Sequence, residues 1–235
     1  MIGNLIKKSK HIVVFTGAGM STESGVPDFR SNRGLWKGKN PEELASVYAM
    51  KSNRKEFVEF YRKRIEVLAN VQPHVGYEIL SRWGVRFNLK SIITQNTDGL
   101  HEQAGNKSVI PLHGTIRKMH CQNCKKGYPA EVYFKDEYHC ECGGFIRLSV
   151  VLFGESLDSQ MLKRAEQESQ QADLFIVLGS SLVVSPANMF PMIAKENGAK
   201  LIIVNHDPTP LDSMADVVVN DRKIGEFLKE VSDSL

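Results

Sequence analysis

A chain of 235 residues is long enough to bury a sizeable core in one large domain or a domain with a small insert, and its 42% hydrophobic and 24% charged content excludes a disordered or fibrous polypeptide. With 30 basic and 27 acidic residues the formal net charge is +3, too balanced to indicate a nucleic-acid groove or an anionic membrane surface as partner. Apolar runs such as Leu174 to Leu178 and Leu201 to Val204 are strand-length, well short of the roughly 20 residues a membrane helix requires, and the N-terminal MIGNLIKKSKHIVVF lacks the pattern of a signal peptide, so the expected location is cytoplasmic.

In chain order, a mixed-charge helical segment leads into HIVVFTGAG, the first of five β-branched runs. The others are SIITQNTDG, LFIVLGSS, KLIIVNHD and ADVVVND, and each ends in Gly, Asn, Ser or Asp. Apolar on both faces and separated by segments long enough for crossover helices, they read as buried parallel strands. Phe57 to Ala69 and Leu162 to Ala172 are two of the expected helices. The expected fold is α/β, a doubly wound, mostly parallel Rossmann-like sheet with ligands at the carboxyl ends of its strands, carrying a small inserted zinc-binding domain. Residues 1–31, 81–117 and 148–235 are assigned to the large domain. The small domain takes the strand-poor helical and loop stretch 32–80 and the polar, cysteine-bearing ribbon 118–147.

Thr16-Gly17-Ala18-Gly19-Met20-Ser21 follows the first strand and is expected to open a helix, where glycines let the backbone approach a diphosphate. Thr22 stands where a third glycine of the dinucleotide fingerprint belongs, and no acidic residue closes a second strand about 20 residues on, which argues against an ordinary dehydrogenase. The four cysteines of the chain form a C-x-x-C pair, Cys121 and Cys124, and a C-x-C pair, Cys140 and Cys142. In a reducing compartment such knuckles indicate one tetrahedral Zn2+, structural because four thiolates leave no open coordination position. His120 and His139 beside them are weaker candidates as ligands.

GAGMSTESGVPDFR (17–30), TQNTDGLHEQAG (94–105), LHG (112–114), VVLFGE (150–155), GSSL (179–182) and VNHDPTP (204–210) resemble the motifs of the sirtuin family, in that family's order and over nearly the whole chain. The resemblance implies a bacterial-type single catalytic domain acting as an NAD-dependent protein lysine deacylase, with NAD consumed as co-substrate. The acyl oxygen of the modified lysine would attack the nicotinamide ribose, expelling nicotinamide. His113 would then draw a proton through the ribose hydroxyls, and water would release lysine and O-acyl-ADP-ribose. Protein mono-ADP-ribosyl transfer and NAD hydrolysis are the alternatives on the same fold. Partners would be acylated lysines on proteins or peptides, with neither membrane nor nucleic acid.

Residue by residue, the resemblance implies that Gly17, Ala18, Gly19, Thr22, Phe29 and Arg30 line the phosphates and nicotinamide ribose, Phe29 as an aromatic lid and Arg30 as a charged donor. Gln95, Asn96, Thr97 and Asp98 would surround the ribose and the carboxamide, with Asn96 and Asp98 joining His113 in catalysis. Gly179, Ser180, Ser181 and Asn205 would hold the adenosine ribose. A histidine suits the general base because its unperturbed pKa of about 6.5 lies near neutrality. Thr97 occupies a position the family usually fills with isoleucine; an unpartnered hydroxyl there would cost roughly 1–3 kcal/mol, so the backbone is expected to serve the ligand. Val151, Phe153 and Gly154 belong to the segment that would pair with an extended acyl-lysine peptide, although Leu148 stands where the family usually has proline. Ala45, Tyr61 and Arg64 have the spacing of a triplet found in sirtuins that prefer succinyl and malonyl groups, whose carboxylate an arginine and a phenol can bind; the charged face of a helix explains Tyr61 and Arg64 equally well. The loop 31–39 is expected to be mobile.

Overall fold

A computed structural model describes residues 2–28 and 41–235. The first half runs through α1 (Ile2–Lys8), β1 (Ile12–Thr16), a 3-10 helix (Ala18–Ser24), α2 (Pro41–Leu44), α3 (Val47–Ser52), α4 (Arg54–Ala69), α5 (Val75–Arg86), β2 (Leu89–Thr94), α6 (Leu100–Gln103) and β3 (Val109–Pro111). There follow β4 (Gly114–Cys121), β5 (Gly127–Tyr128), β6 (Ile146–Val150), α7 (Ser159–Gln171), β7 (Leu174–Leu178), α8 (Met189–Glu196), β8 (Lys200–Val204), β9 (Val217–Val219) and α9 (Ile224–Asp233).

Successive side chains of a strand point to opposite faces, and the central strands fill both. Val14, Ile176 and Ile202 enter one core with Tyr77, Leu80 and Trp83 of α5 and Phe227 and Leu228 of α9. Their neighbours Phe15, Val177 and Ile203 enter the opposite core with Ala165 of α7 and Phe190 and Ala194 of α8. The result is a six-stranded sheet in the order β3-β2-β1-β7-β8-β9 with every pair parallel. From β1 the chain winds outward to β2 and β3 on one side and returns through β7 to β8 and β9 on the other, so the crevice of this doubly wound sheet opens at the carboxyl ends of β1 and β7. β3 was not among the five expected strands: it offers only Val109 and Ile110 before Pro111, without the β-branched triplet that marks the equally short β9. α7 starts at Ser159, ahead of the expected Leu162, because the Asp158 carboxylate accepts from the backbone N–H groups of Gln160 (2.8 Å) and Met161 (3.0 Å).

A second, antiparallel sheet in the order β5-β4-β6 packs with α4 around its own core, built on Phe57, Tyr61, Ile116, Met119, Ile146 and Leu148. Leu148 stands opposite Met119 in the β4–β6 ladder. The expected boundaries at 80/81, 117/118 and 147/148 fall inside α5, β4 and β6 respectively. α5 belongs to the large core because its apolar face lies under the main sheet, and the ladder of β4 with β6 carries the insert from Gly114 to Val150. Among the described residues no helix is long and apolar enough to cross a membrane.

Candidate active site

Three glycines let the loops after β1 and β7 touch. A Cβ on Gly17 would lie 2.6 Å from the Gly179 carbonyl oxygen, and one on Gly19 would lie 2.8 Å from Gly179 Cα. Gly179 adopts φ +63°, and a Cβ there would lie 2.4 Å from the Met20 nitrogen. The backbone N–H of Gly19 donates to the Gly179 carbonyl at 2.9 Å. The helix expected after β1 is a 3-10 helix, Ala18–Ser24, ended by Gly25 at φ +88°.

Above this floor opens a cleft of about 1110 Å³, lined by Gly17, Ala18, Gly19 and Thr22 on one loop and by Gly179, Ser180 and Ser181 on the other. Gln95, Asn96 and Thr97 enter from the end of β2, Asn205 from the end of β8, and His113 from the turn between β3 and β4. Asp98 lies deeper, on a side pocket of about 170 Å³ that it lines with Ala18, Asn96, Thr97 and Arg64. Phe29, Arg30 and the loop 31–39 lie outside the described residues.

His113 has its tautomer fixed by one contact. Nδ1 is 2.9 Å from the Gln95 carbonyl, which can only accept, so Nδ1 carries the proton and Nε2 is the free base. Burial lowers its pKa from the ordinary value against the opposing pull of that carbonyl, so the imidazole is neutral at pH 7. Gly114 follows at φ +73°, where a Cβ would meet the Ser149 carbonyl.

The Asn96 amide is also oriented. Nδ2 donates to the Gly17 carbonyl (2.9 Å) and to Ser21 Oγ (3.0 Å), which leaves Oδ1 as its acceptor for a ligand. Asp98 accepts from the Leu100 N–H at 2.9 Å and from Ser21 Oγ at 2.7 Å. Burial raises its pKa, and these donors together with Arg117 and Arg64 work against that rise.

Ala45, Tyr61 and Arg64 line the same cleft. The Arg64 guanidinium lies 5.7 Å from the Tyr61 ring centroid and donates to Thr97 Oγ1 at 3.3 Å. Thr97 therefore has a partner, and the unsatisfied hydroxyl considered from the sequence does not arise. Burial pushes the Tyr61 phenol up to about 12 and lowers Arg64 from its ordinary value.

The segment 151–155 runs along this side and turns at Gly154, whose φ is +88°. Val151 N–H donates to the His113 carbonyl (2.9 Å) and Phe153 N–H to the Ala45 carbonyl (3.0 Å), while Val47 N–H donates back to Phe153 (3.0 Å). Val151, Phe153 and Gly154 all face the cleft. Glu155 holds the bend, accepting from the Leu152 N–H at 2.8 Å and from Arg147 Nη1 at 2.5 Å. Arg147 is buried and also donates to the Val150 carbonyl, so its charge is paired and its fork is occupied.

Away from the cleft, the Sγ atoms of Cys121, Cys124, Cys140 and Cys142 lie within 4.8 Å of one another. Cys121 and Cys142 are 3.5 Å apart and Cys124 and Cys140 3.6 Å, close to the edge of roughly 3.8 Å that a tetrahedron of Zn–S bonds requires. The four thiols fit one zinc ion. His120 is turned away, with Nδ1 2.8 Å from Ser149 Oγ.

The Sir2 family model matches residues 17–186, from the glycine loop after β1 to the loop after β7. The chain belongs to the Sir2 family. A relative from Shouchella clausii named NAD-dependent protein deacetylase is 63% identical over 100% of this chain and 99% of its own, and one of the same name from Halalkalibacterium halodurans is 60% identical over the same shares. A solved Sir2 structure with a deacetylated p53 peptide and 3'-O-acetyl ADP ribose aligns at TM-score 0.93 and 37% identity, covering 99% of this chain and 96% of that one. Another, a Sir2 protein bound to a propionylated peptide, aligns at TM-score 0.89 and 35% identity, covering 98% and 95%.

Several residues of the site were not singled out from the sequence. Ser21 lies inside the glycine motif, where its type alone gives no sign that it meets three partners. Arg147 reads as an ordinary strand arginine until its burial is known. The rim Asp221 to Ile224 follows the last strand with no motif of its own, yet it closes one end of the cleft.

Proposed function

We propose that this chain is an NAD-dependent protein lysine deacetylase that also accepts acyl groups ending in a carboxylate. The observation that carries the reading is His113, fixed with Nδ1 protonated and Nε2 basic, in one cleft with Asn96 and the touching glycine loops at the sheet's crevice. NAD supplies a ribose from which nicotinamide leaves as the acyl oxygen attaches.

The chain's residues then have distinct tasks. Gly17, Ala18, Gly19 and Thr22 receive the diphosphate, where any Cβ on either glycine would collide with the neighbouring loop. Asn96, with both amide hydrogens committed, presents Oδ1 towards the nicotinamide end, and the Asp98 carboxylate faces the side pocket that takes the carboxamide. Ser180, Ser181 and Asn205 hold the adenosine ribose. His113 Nε2 draws a proton from the ribose hydroxyls, while the outer edge of 151–155 pairs with the substrate backbone and leaves side-chain choice broad. In the NAD-binding loop, Phe29 and Arg30 are assigned to closing the nicotinamide ribose off from water and to its charge. The four cysteines hold a structural zinc.

Incubation of the protein with NAD and an acetyl-lysine peptide, followed by mass spectrometry, is expected to yield deacetylated peptide, nicotinamide and O-acetyl-ADP-ribose in equal amounts. Free ADP-ribose with an unchanged peptide, or an ADP-ribosylated protein, would overturn the reading in favour of hydrolysis or ADP-ribosyl transfer.

For the carboxylate preference, Arg64→Met is expected to lower kcat/KM on a succinyl-lysine peptide relative to its acetyl counterpart by about tenfold to a hundredfold, the scale of one charged hydrogen bond. The ratio cancels any loss common to both substrates. An unchanged ratio would leave Arg64 and Tyr61 as a helix face.

A further inference from the structure

Ser21 Oγ stands at hydrogen-bond distance from three groups: Asp98 Oδ2 at 2.7 Å, Tyr77 Oη at 2.8 Å and Asn96 Nδ2 at 3.0 Å. A hydroxyl has one proton to give and two lone pairs to fill. Asn96 Nδ2 is a donor, because its other contact is the Gly17 carbonyl, which only accepts. An ionised Asp98 carboxylate also only accepts. The single Ser21 proton therefore goes to Asp98, the amide fills one lone pair, and Tyr77 must donate into the other. With the opposite direction, Ser21 Oγ and the carboxylate would face each other at 2.7 Å with no proton between them.

Tyr77 is fully buried on α5, its ring set edge-on between those of His74 (5.0 Å) and His101 (4.7 Å). Nothing exposed competes for its hydroxyl proton, and the backbone that carries it belongs to the core of the large sheet. The contact is thus a rigid one, placed by packing.

We propose that Tyr77 is a positioning residue for the nicotinamide-releasing half of the reaction: its hydroxyl, by donating to Ser21, strengthens the hydrogen bond that Ser21 gives to Asp98 and so keeps Asp98 an acceptor. This inference rests on the functional reading above. Among the described residues, the groups facing Asp98 are Arg64 from α4, Arg117 from β4, whose Nε donates to the Asp98 backbone carbonyl at 2.6 Å, and Tyr77 from α5. His74, at the start of α5, and His101 and Glu102, from α6, act on Tyr77. His101 is held neutral by burial, its pKa pushed down to about 3, and Tyr77 itself does not ionise, since burial and the Asp98 charge push its phenol well above the ordinary value. Asp98 is the carboxylate that Ser21 reaches directly. Burial already raises its pKa, and the donated hydrogen bond opposes that rise. Loss of the Tyr77 hydroxyl lets the pKa climb further, so activity that needs the carboxylate disappears at a higher pH as the medium is acidified.

The test is exchange of labelled nicotinamide into NAD in the presence of acetyl peptide, followed across the acid range in a His113→Ala background, which removes the general base assigned to the later half of the reaction. Tyr77→Phe is expected to move the acid limb of exchange up by roughly half a pH unit to one unit, with the rate recovering towards that of the parent on the alkaline side. Site-specific 3-fluorotyrosine at 77, nearly the same size and a stronger donor, is expected to move the limb the opposite way, which a packing role does not predict. Superimposable profiles, or a loss equal at every pH, would overturn the assignment. A parent protein with no exchange at all would instead overturn the functional reading, and this assignment with it.

Discussion

Replacing His113 by alanine is expected to lower deacetylation by about 10²–10⁴-fold, the usual contribution of a positioned acid–base group, while exchange of nicotinamide into NAD survives. The asymmetry follows from where the imidazole sits. Its Nδ1 proton is tied to the Gln95 carbonyl and it lines the cleft, and the proposed function gives it proton removal from the ribose hydroxyls after nicotinamide has left. Asn96 and Asp98, assigned to the nicotinamide end in the proposed function, are held by Gly17, Ser21 and Leu100, and none of these contacts passes through His113. Because burial lowers the His113 pKa from its ordinary value of about 6.5, the base form already dominates at neutral pH. The parent rate of deacetylation should therefore fall only as the pH drops below that value. The single-turnover experiment with an acetyl peptide separates the two halves directly: nicotinamide released without deacetylated peptide is the expected result. Equal loss of both halves would place His113 in nicotinamide release and sink the assignment.

Much of this site could be read before the structure because it lies on the carboxyl ends of strands whose residues are apolar on both faces. Thr16, Thr94, Leu178 and Val204 end β1, β2, β7 and β8, and the polar residues that follow each of them meet in one crevice. What escaped the sequence is contact between segments far apart along the chain. Thr97 looked like an unmatched hydroxyl because its partner, Arg64, is 33 residues away on another element. Tyr77 sits in VGYEILSRWGV, whose apolar spacing describes a helix packed on a core, and nothing in it announces that the phenol reaches Ser21, 56 residues earlier. The expected cut at 80/81 falls inside α5 for the same reason. α5 looks like a continuation of the helical stretch before it, whereas its buried Tyr77, Ile79 and Trp83 commit it to the large sheet.

Removal of zinc is expected to unfold the small module and leave the large sheet folded. Two short knuckles close the far end of the β4–β6 ladder: Cys121 ends β4, and Cys140 and Cys142 precede β6. Cys121 is fully buried, and a Cβ on Gly144 would lie 2.4 Å from its Sγ, so this turn is shaped around the thiol. Tyr128 adds a hydrogen bond from its hydroxyl to Cys140 Sγ at 3.0 Å, the kind of outer contact that fixes a ligand's orientation. Without the ion, four sulfurs within 4.8 Å of one another lose the bonds that hold them together. Structural zinc in small peptides contributes about 10–16 kcal/mol of apparent binding energy, more than a core of this size can supply alone. The large sheet keeps two cores of its own. Chelation, or Cys140→Ser, should therefore abolish hydrogen-exchange protection in β4, β5 and β6 while β1, β7 and β8 stay protected, and melting should split into two steps. Deacetylation should fail through peptide binding, since Ala45 and Tyr61 belong to the same small core as Met119 and Ile146, while NAD binding at the glycine loops persists. Protection unchanged in β4 and β6 after stoichiometric zinc loss would show that the cysteines do not hold the module together.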